Sequence, residues 1–98
     1  MRVMLRAHLD TASANEAIKT GRLPEIMREL TARLEPEAAY FGPGDGVRTC
    51  TFVFDMQDSS EMPVISEPLF QELGARLECC PVMNAEDLRR GLAAREQG

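Results

Sequence analysis

Arg6 and His8 stand two residues apart in the segment Val3-Met4-Leu5-Arg6-Ala7-His8-Leu9. In an extended strand, residues two apart share a face, so a guanidinium and an imidazole point the same way. An imidazole titrates near neutrality and can carry a proton. A guanidinium is a fixed cation that matches a carboxylate or phenolate. Tyr40 would add a phenol as a hydrogen-bond partner, and Glu78 a carboxylate. The catalytic set these residues suggest is His8 as proton carrier, Arg6 as anion anchor and Tyr40 as hydrogen-bond partner. The plainer reading is structural. In it, Arg6 and Glu78 pair across two strands, and His8 sits in solvent at a strand end.

Other reactive residue types are better explained without chemistry. Cys79 and Cys80 are adjacent, so in a strand they point to opposite faces, which opposes a vicinal disulfide. No Cys-x-x-Cys spacing or flanking base would depress a thiol pKa. The odd cysteine count and lack of metal-type spacing predict free thiols in a reducing compartment. Asp55, Asp58, Glu61 and Glu67 are spaced for helix capping and for the positive end of a helix rather than for a metal. Gly42-Pro43-Gly44-Asp45-Gly46 lacks the Lys-Ser/Thr of a phosphate loop and reads as a turn. Neither a metal nor a cofactor is expected.

These residues need a scaffold, and the chain is long enough for one. Its 98 residues predict a single domain over 1–98, 44% hydrophobic and 28% charged. The formal net charge of −5 offers no basic stripe for nucleic acid, nor a cationic surface for anionic lipid. No run approaches the ~20 apolar residues of a membrane span. The first eight residues are broken by Arg6 and His8 and do not read as a signal peptide. A cytoplasmic location is the expectation.

Alternation marks residues 2–9 as a first strand. A short helical piece is expected over 14–20, closed by Gly21. The stripe Leu23, Ile26, Met27, Leu30 and Leu34 predicts a second helical piece, stopped by Pro36. Glu29 and Arg33 are spaced there as an i,i+4 ion pair. Residues 37–41 form a short strand. The Gly42–Gly46 turn leads into Val47–Asp55, the chain's strongest strand candidate, rich in β-branched and aromatic residues. Ile65, Leu69 and Leu73 mark the next helix, which Pro68 should kink or split. A fourth strand spans 76–83. Asn84 with Asp87 caps a last helix anchored by Leu88 and Leu92, and residues 95–98 should fray.

The order is that of the ferredoxin-like βαββαβ unit with an extra C-terminal helix, an α+β fold. Two helices cover only one sheet face. Val3, Leu5, Ala7, Cys50, Phe52, Phe54, Leu77 and Cys79 are assigned to that side. The other face carries Met4, Arg6, His8, Thr49, Thr51, Val53, Glu78, Cys80 and Val82, and Tyr40 is expected to join it. A small chain whose free face holds Met4, Val53 and Val82 is a candidate for homodimerisation through that face, where a shared cavity would hold a small molecule.

The strand order, the segment Glu37-Ala38-Ala39-Tyr40-Phe41 before a glycine-rich hairpin, and Asp55-Met56-Gln57-Asp58 leading to Glu67-Pro68 resemble a small family of bacterial proteins in the dimeric α/β-barrel superfamily. The resemblance spans nearly the whole chain. It implies a homodimer with a ligand pocket inside the barrel or between sheet and helices. Superfamily members include muconolactone isomerases, cofactor-free monooxygenases and haem-degrading enzymes. No catalytic motif of these carries over, because the chain has no Trp and one His. The leading expectation is therefore a small-molecule-binding or accessory homodimer. A cofactor-free isomerase or monooxygenase acting on an aromatic or lactone-like acid is the alternative, followed by a protein-interaction module.

Overall fold

A computed structural model describes residues 1–97. The elements run β1 (Arg2–His8), α1 (Thr11–Lys19), α2 (Arg22–Leu34), β2 (Ala38–Gly44), β3 (Val47–Asp55), α3 (Glu61–Leu73), β4 (Arg76–Pro81) and α4 (Ala85–Gln97). The strands form one antiparallel sheet in the order β2-β3-β1-β4. The predicted split βαβ arrangement is therefore present, with its first helical connection divided into α1 and α2.

The register carries the apolar pattern into a core. Val3 lies opposite Phe54, Leu5 opposite Phe52 and Ala7 opposite Cys50, so one face of β1 and β3 is wholly apolar. Against it pack Ala14 and Ala17 of α1, Ile26, Leu30 and Leu34 of α2, and Ile65, Leu69 and Leu73 of α3. Phe52 is fully buried at the centre, and Phe41 meets its ring edge-on at 5.7 Å between centroids.

Local chemistry shapes the ends of the elements. Asp10 caps α1: the backbone N–H and hydroxyl of Ser13 both donate to its Oδ2, and the backbone bond leads in holding its carboxyl below the ordinary range. α1 therefore begins at Thr11, one turn earlier than the apolar pattern suggested. Gly74 closes α3 at φ 53°, where a Cβ would lie 3.1 Å from the Asp10 Cβ. Glycine is thus needed for both conformation and space.

Several expectations are corrected. β2 continues through Pro43 to Gly44, and the turn shrinks to Asp45-Gly46, both at positive φ. That is the two-residue hairpin geometry whose twist matches the strands. Pro43 is tolerated because β2 is a sheet edge. Pro68 neither ends nor divides α3, which is one helix from Glu61 to Leu73. Glu29 accepts from Arg22, which also holds Glu25 and Glu72, so the Glu29–Arg33 pair does not form. Val82 lies beyond β4, although its N–H still donates to the Arg2 carbonyl. Cys79 is exposed at the β4 edge. Leu88 and Leu92 anchor nothing in the core: they are 47% and 52% exposed. α4 continues helical through Gln97 rather than fraying from Arg95, and Gly98 lies outside the described residues.

α4 stands apart from the body. The radius of gyration is 15.6 Å and the extents are 56 × 27 × 18 Å, whereas a compact chain of this size has a radius near 13 Å.

Replacing Phe52 with Ala should cost about 3–5 kcal/mol in urea unfolding, the range for a buried aromatic truncation. A loss below ~1 kcal/mol would contradict its central place. Asp10 contributes its charged-form stability above the ordinary carboxylate pKa and loses it as pH falls through its lowered value. Asp10→Asn should therefore flatten the acid limb of the stability–pH curve.

Candidate functional site on the open sheet face

The sheet face turned away from the helices forms a register-defined grid. One row across the strands reads Tyr40, Thr51, Arg6, Glu78. The next reads Ala38, Val53, Met4, Cys80, and a third reads Gly42, Thr49, His8, Arg76. The site residues assigned to strands in the sequence, Val82 beyond β4 excepted, thus do come onto one face, and Tyr40 joins them at 73% exposure.

The grid does not pair them as the sequence suggested. Glu78 lies opposite Arg6, yet its Oε1 meets His8 Nε2 at 3.1 Å. Arg6 is exposed and forms no ion pair among the described residues. His8 is not solvated at a strand end; it is 8% exposed. Its Nδ1 lies 3.0 Å from Thr49 Oγ1, and that hydroxyl is also within reach of the Gly44 and Val47 carbonyls.

Proton counting limits the states of this network. Thr49 has one hydroxyl proton. If it goes to Nδ1, the neutral imidazole carries its own proton on Nε2 and donates to Glu78. If it goes to a hairpin carbonyl, Nδ1–H donates to Thr49, and an imidazolium then serves Thr49 and Glu78 together. In both states Nε2–H faces the carboxylate. A proton can be shared between His8 Nε2 and Glu78 Oε1, whereas Thr49, held by backbone carbonyls, has no further group to exchange with, and only Glu78 among the three opens to solvent. His8 therefore stands behind Glu78, where it orients the carboxylate.

The role of Thr49 was missed in the sequence. Gly44 reinforces it: a Cβ there would lie 2.9 Å from Thr49 Oγ1. Only the hairpin register brings Gly44, Thr49 and His8 together, so no spacing in the sequence signals them. On the helix side, an apolar hollow of about 400 Å³ lies between Leu23 and Met27 of α2 and Phe41 and Pro43 of β2. Arg48 stands at this hollow, so it belongs to the helix side of the sheet.

The thiols differ by environment. Burial pushes the Cys50 thiol up to about 11, against a weaker opposing hydrogen bond from Ala7. Partial burial, then the neighbouring Cys80, raises Cys79. All three cysteines are free. Among the described residues, no three His, Cys, Asp or Glu side chains are placed to hold a metal ion, and no helix is long and apolar enough to cross a membrane.

No family model matches the chain, and no curated protein matches it. Among solved structures it is similar to a de novo designed protein, Ferredog-Diesel, with a TM-score of 0.50 over 83% of this chain and 85% of that one. The fold is ferredoxin-like. At 15% identity the likeness extends to the fold alone. Within that ferredoxin-like frame, the polar network and the unpaired Arg6 are features of this chain's own side chains.

Thr49→Val removes the hydroxyl while keeping the shape, leaving buried Nδ1 without its partner. A loss of about 1–3 kcal/mol is expected in denaturant unfolding; an unchanged midpoint would show that the network does not tie the hairpin down. In the native protein, a thiol reagent at pH 8 should spare Cys50 until denaturant is added.

Proposed function

We propose that the protein is a small-molecule-binding homodimer in which two open sheet faces pack together and Arg6 anchors an organic anion between them. The observation that carries this reading is the state of Arg6. It lies mid-face beside Met4, Thr51 and Val53, and the carboxylate opposite it is held by His8. Covering such a face buries a guanidinium, which is costly unless an anion meets it. A carboxylate or phenolate would meet that need, and Tyr40 adds a phenol in the same row. The resemblance to the dimeric α/β-barrel superfamily supports the same assembly, and sheet-on-sheet packing is its physical basis. The ligand class is an organic acid. The three unpaired thiols favour a reducing, cytoplasmic setting.

The His8–Glu78 hydrogen bond favours a second reading, proton transfer on the bound acid. There Glu78 takes the proton from one position of the bound acid and returns one to it from solvent, and His8 behind it orients the carboxylate, a revision of the role expected from sequence. In D₂O this reading requires deuterium exchange into the bound acid that is lost in Glu78→Gln.

Sedimentation should give a dimer at micromolar concentration, and Val53→Asp should weaken it by placing a carboxylate on the covered face. A monomer would refute the assembly. Native mass spectrometry of the purified dimer should show a retained organic acid that Arg6→Gln loses while remaining dimeric. Retention by Arg6→Gln would remove Arg6 as its anchor.

A further inference from the structure

Glu78 has two basic partners within reach and takes the more distant one. By register it lies directly opposite Arg6. Opposite side chains have Cβ atoms about 4.5–5.5 Å apart, and diagonal ones about 7–8 Å. The carboxylate nevertheless reaches along the diagonal to His8 Nε2 at 3.1 Å, and Arg6 has no ion pair among the described residues.

The protonation of His8 decides between the two partners. In the imidazolium, Nδ1–H donates to Thr49 Oγ1, the Thr49 hydroxyl donates to the Gly44 carbonyl, and Nε2–H makes a charge-assisted bond to Glu78. Each of these groups is then served. Loss of one proton forces a choice. If the remaining proton stays on Nε2, Thr49 must turn its hydroxyl to Nδ1, and the Gly44 carbonyl loses it. If it stays on Nδ1, Thr49 keeps the Gly44 carbonyl, but Nε2 turns a lone pair toward Glu78 Oε1 and two acceptors face each other. Glu78 then has a better partner across the strand, a guanidinium that can meet a carboxylate through two parallel hydrogen bonds. This second arrangement keeps the hairpin bond and gains an ion pair, so deprotonation releases Glu78 to Arg6.

The other charges around the ring leave this order intact. β4 brings Arg76 opposite His8, and Arg76 is paired with Asp45 of the hairpin at 2.5 Å. β3 and β2 bring Thr49 and Gly42 in the same row, while Arg48 stands on the helix side. On β1 itself Arg6 shares the face, and Asp10, just past the strand, is taken up in capping α1. Tyr40 lies two strands from Arg6 in the neighbouring row. α1, α2 and α3 pack on the opposite face, and Asp87 of α4 joins Arg2 at the far end of β1.

Resting on the Arg6 anchor proposed above, we infer that Glu78 is a built-in competitor for the organic acid and that His8 sets whether it competes. The protonated ring withdraws Glu78 and opens Arg6; the neutral ring returns Glu78 and closes it. An imidazole titrates near neutrality, and a carboxylic acid roughly two pH units lower. The ligand is therefore still an anion where the site is open, and it is released as the pH rises. Linkage runs both ways. An acid seated on Arg6 sends Glu78 back to His8, so binding takes up a proton.

His8 is the only histidine in the chain, so its ring signals in an NMR titration report this switch directly. The first experiment needs no ligand. It follows His8 and the Arg6 guanidinium carbon, identified by its loss in Arg6→Gln, in the full chain from pH 5 to 8. The Arg6 signal should move with the His8 titration in the native chain and stay still in Glu78→Gln. A constant Arg6 signal, or one that moves equally in Glu78→Gln, overturns the switch. The second experiment uses benzoate as the probe, by calorimetry at pH 6 and pH 8. Its affinity should fall at least about fivefold between the two, within the usual range of coupling between sites. In Glu78→Gln the fall should shrink below about twofold, with binding at pH 8 restored. A fall that persists in Glu78→Gln means that the imidazolium attracts the anion directly, and it overturns Glu78 as competitor. Failure of the anchor reading shows separately, as no benzoate bound at either pH while Arg6 still follows His8.

Discussion

A four-stranded sheet has two faces, and this chain brings helices to one of them. That asymmetry governs the rest of the structure. Phe52, Leu69 and Leu73 fill the centre of the helix side, so the polar side chains of β1 and most of those of β3 occupy the opposite face, Arg48 at the margin excepted. Arg6, His8 and Thr49 lie together because the pleat leaves them no alternative. The chemistry of the open face is thus a consequence of where the core sits.

The polar network also has a mechanical role. β2 is an edge strand beside β3 alone, with Gly42, Pro43 and Gly44 adding few side-chain contacts. Thr49 bridges from the Gly44 carbonyl to His8, and His8 reaches Glu78 on the far strand. One chain of hydrogen bonds therefore spans the sheet from the hairpin to β4. Arg76 of β4 adds a second tie to Asp45 at the turn. The reactive-looking imidazole is enclosed because it belongs to this brace.

Most of the fold could be read from periodicity. The leucine stripe of α2, the alternation of β1 and the aromatic run of β3 each declare both element and face, because burial imposes a period on residue type. The composition of the open face was legible for the same reason. Its pairing was not. Arg6 and Glu78 are register neighbours, but which donor takes the carboxylate depends on rotamers and on a threonine that joins the set only through hairpin register. The hairpin was misjudged because glycine and proline signal a turn wherever they cluster, while an edge strand tolerates them. Leu88 and Leu92 have the spacing of core anchors, and spacing cannot distinguish a face that meets its own chain from one left open.

The two prolines at the sheet margins bear on how copies can associate. Pro43 lies in β2 and Pro81 in β4, the two outer strands. Neither residue has an N–H to offer, so each outer strand presents an interrupted row of donors to any strand that approaches it. End-on growth of one sheet into the next, the route toward cross-β fibres, is disfavoured at both margins. Any pairing of copies is thereby steered from edges to faces, where a two-fold arrangement would be closed.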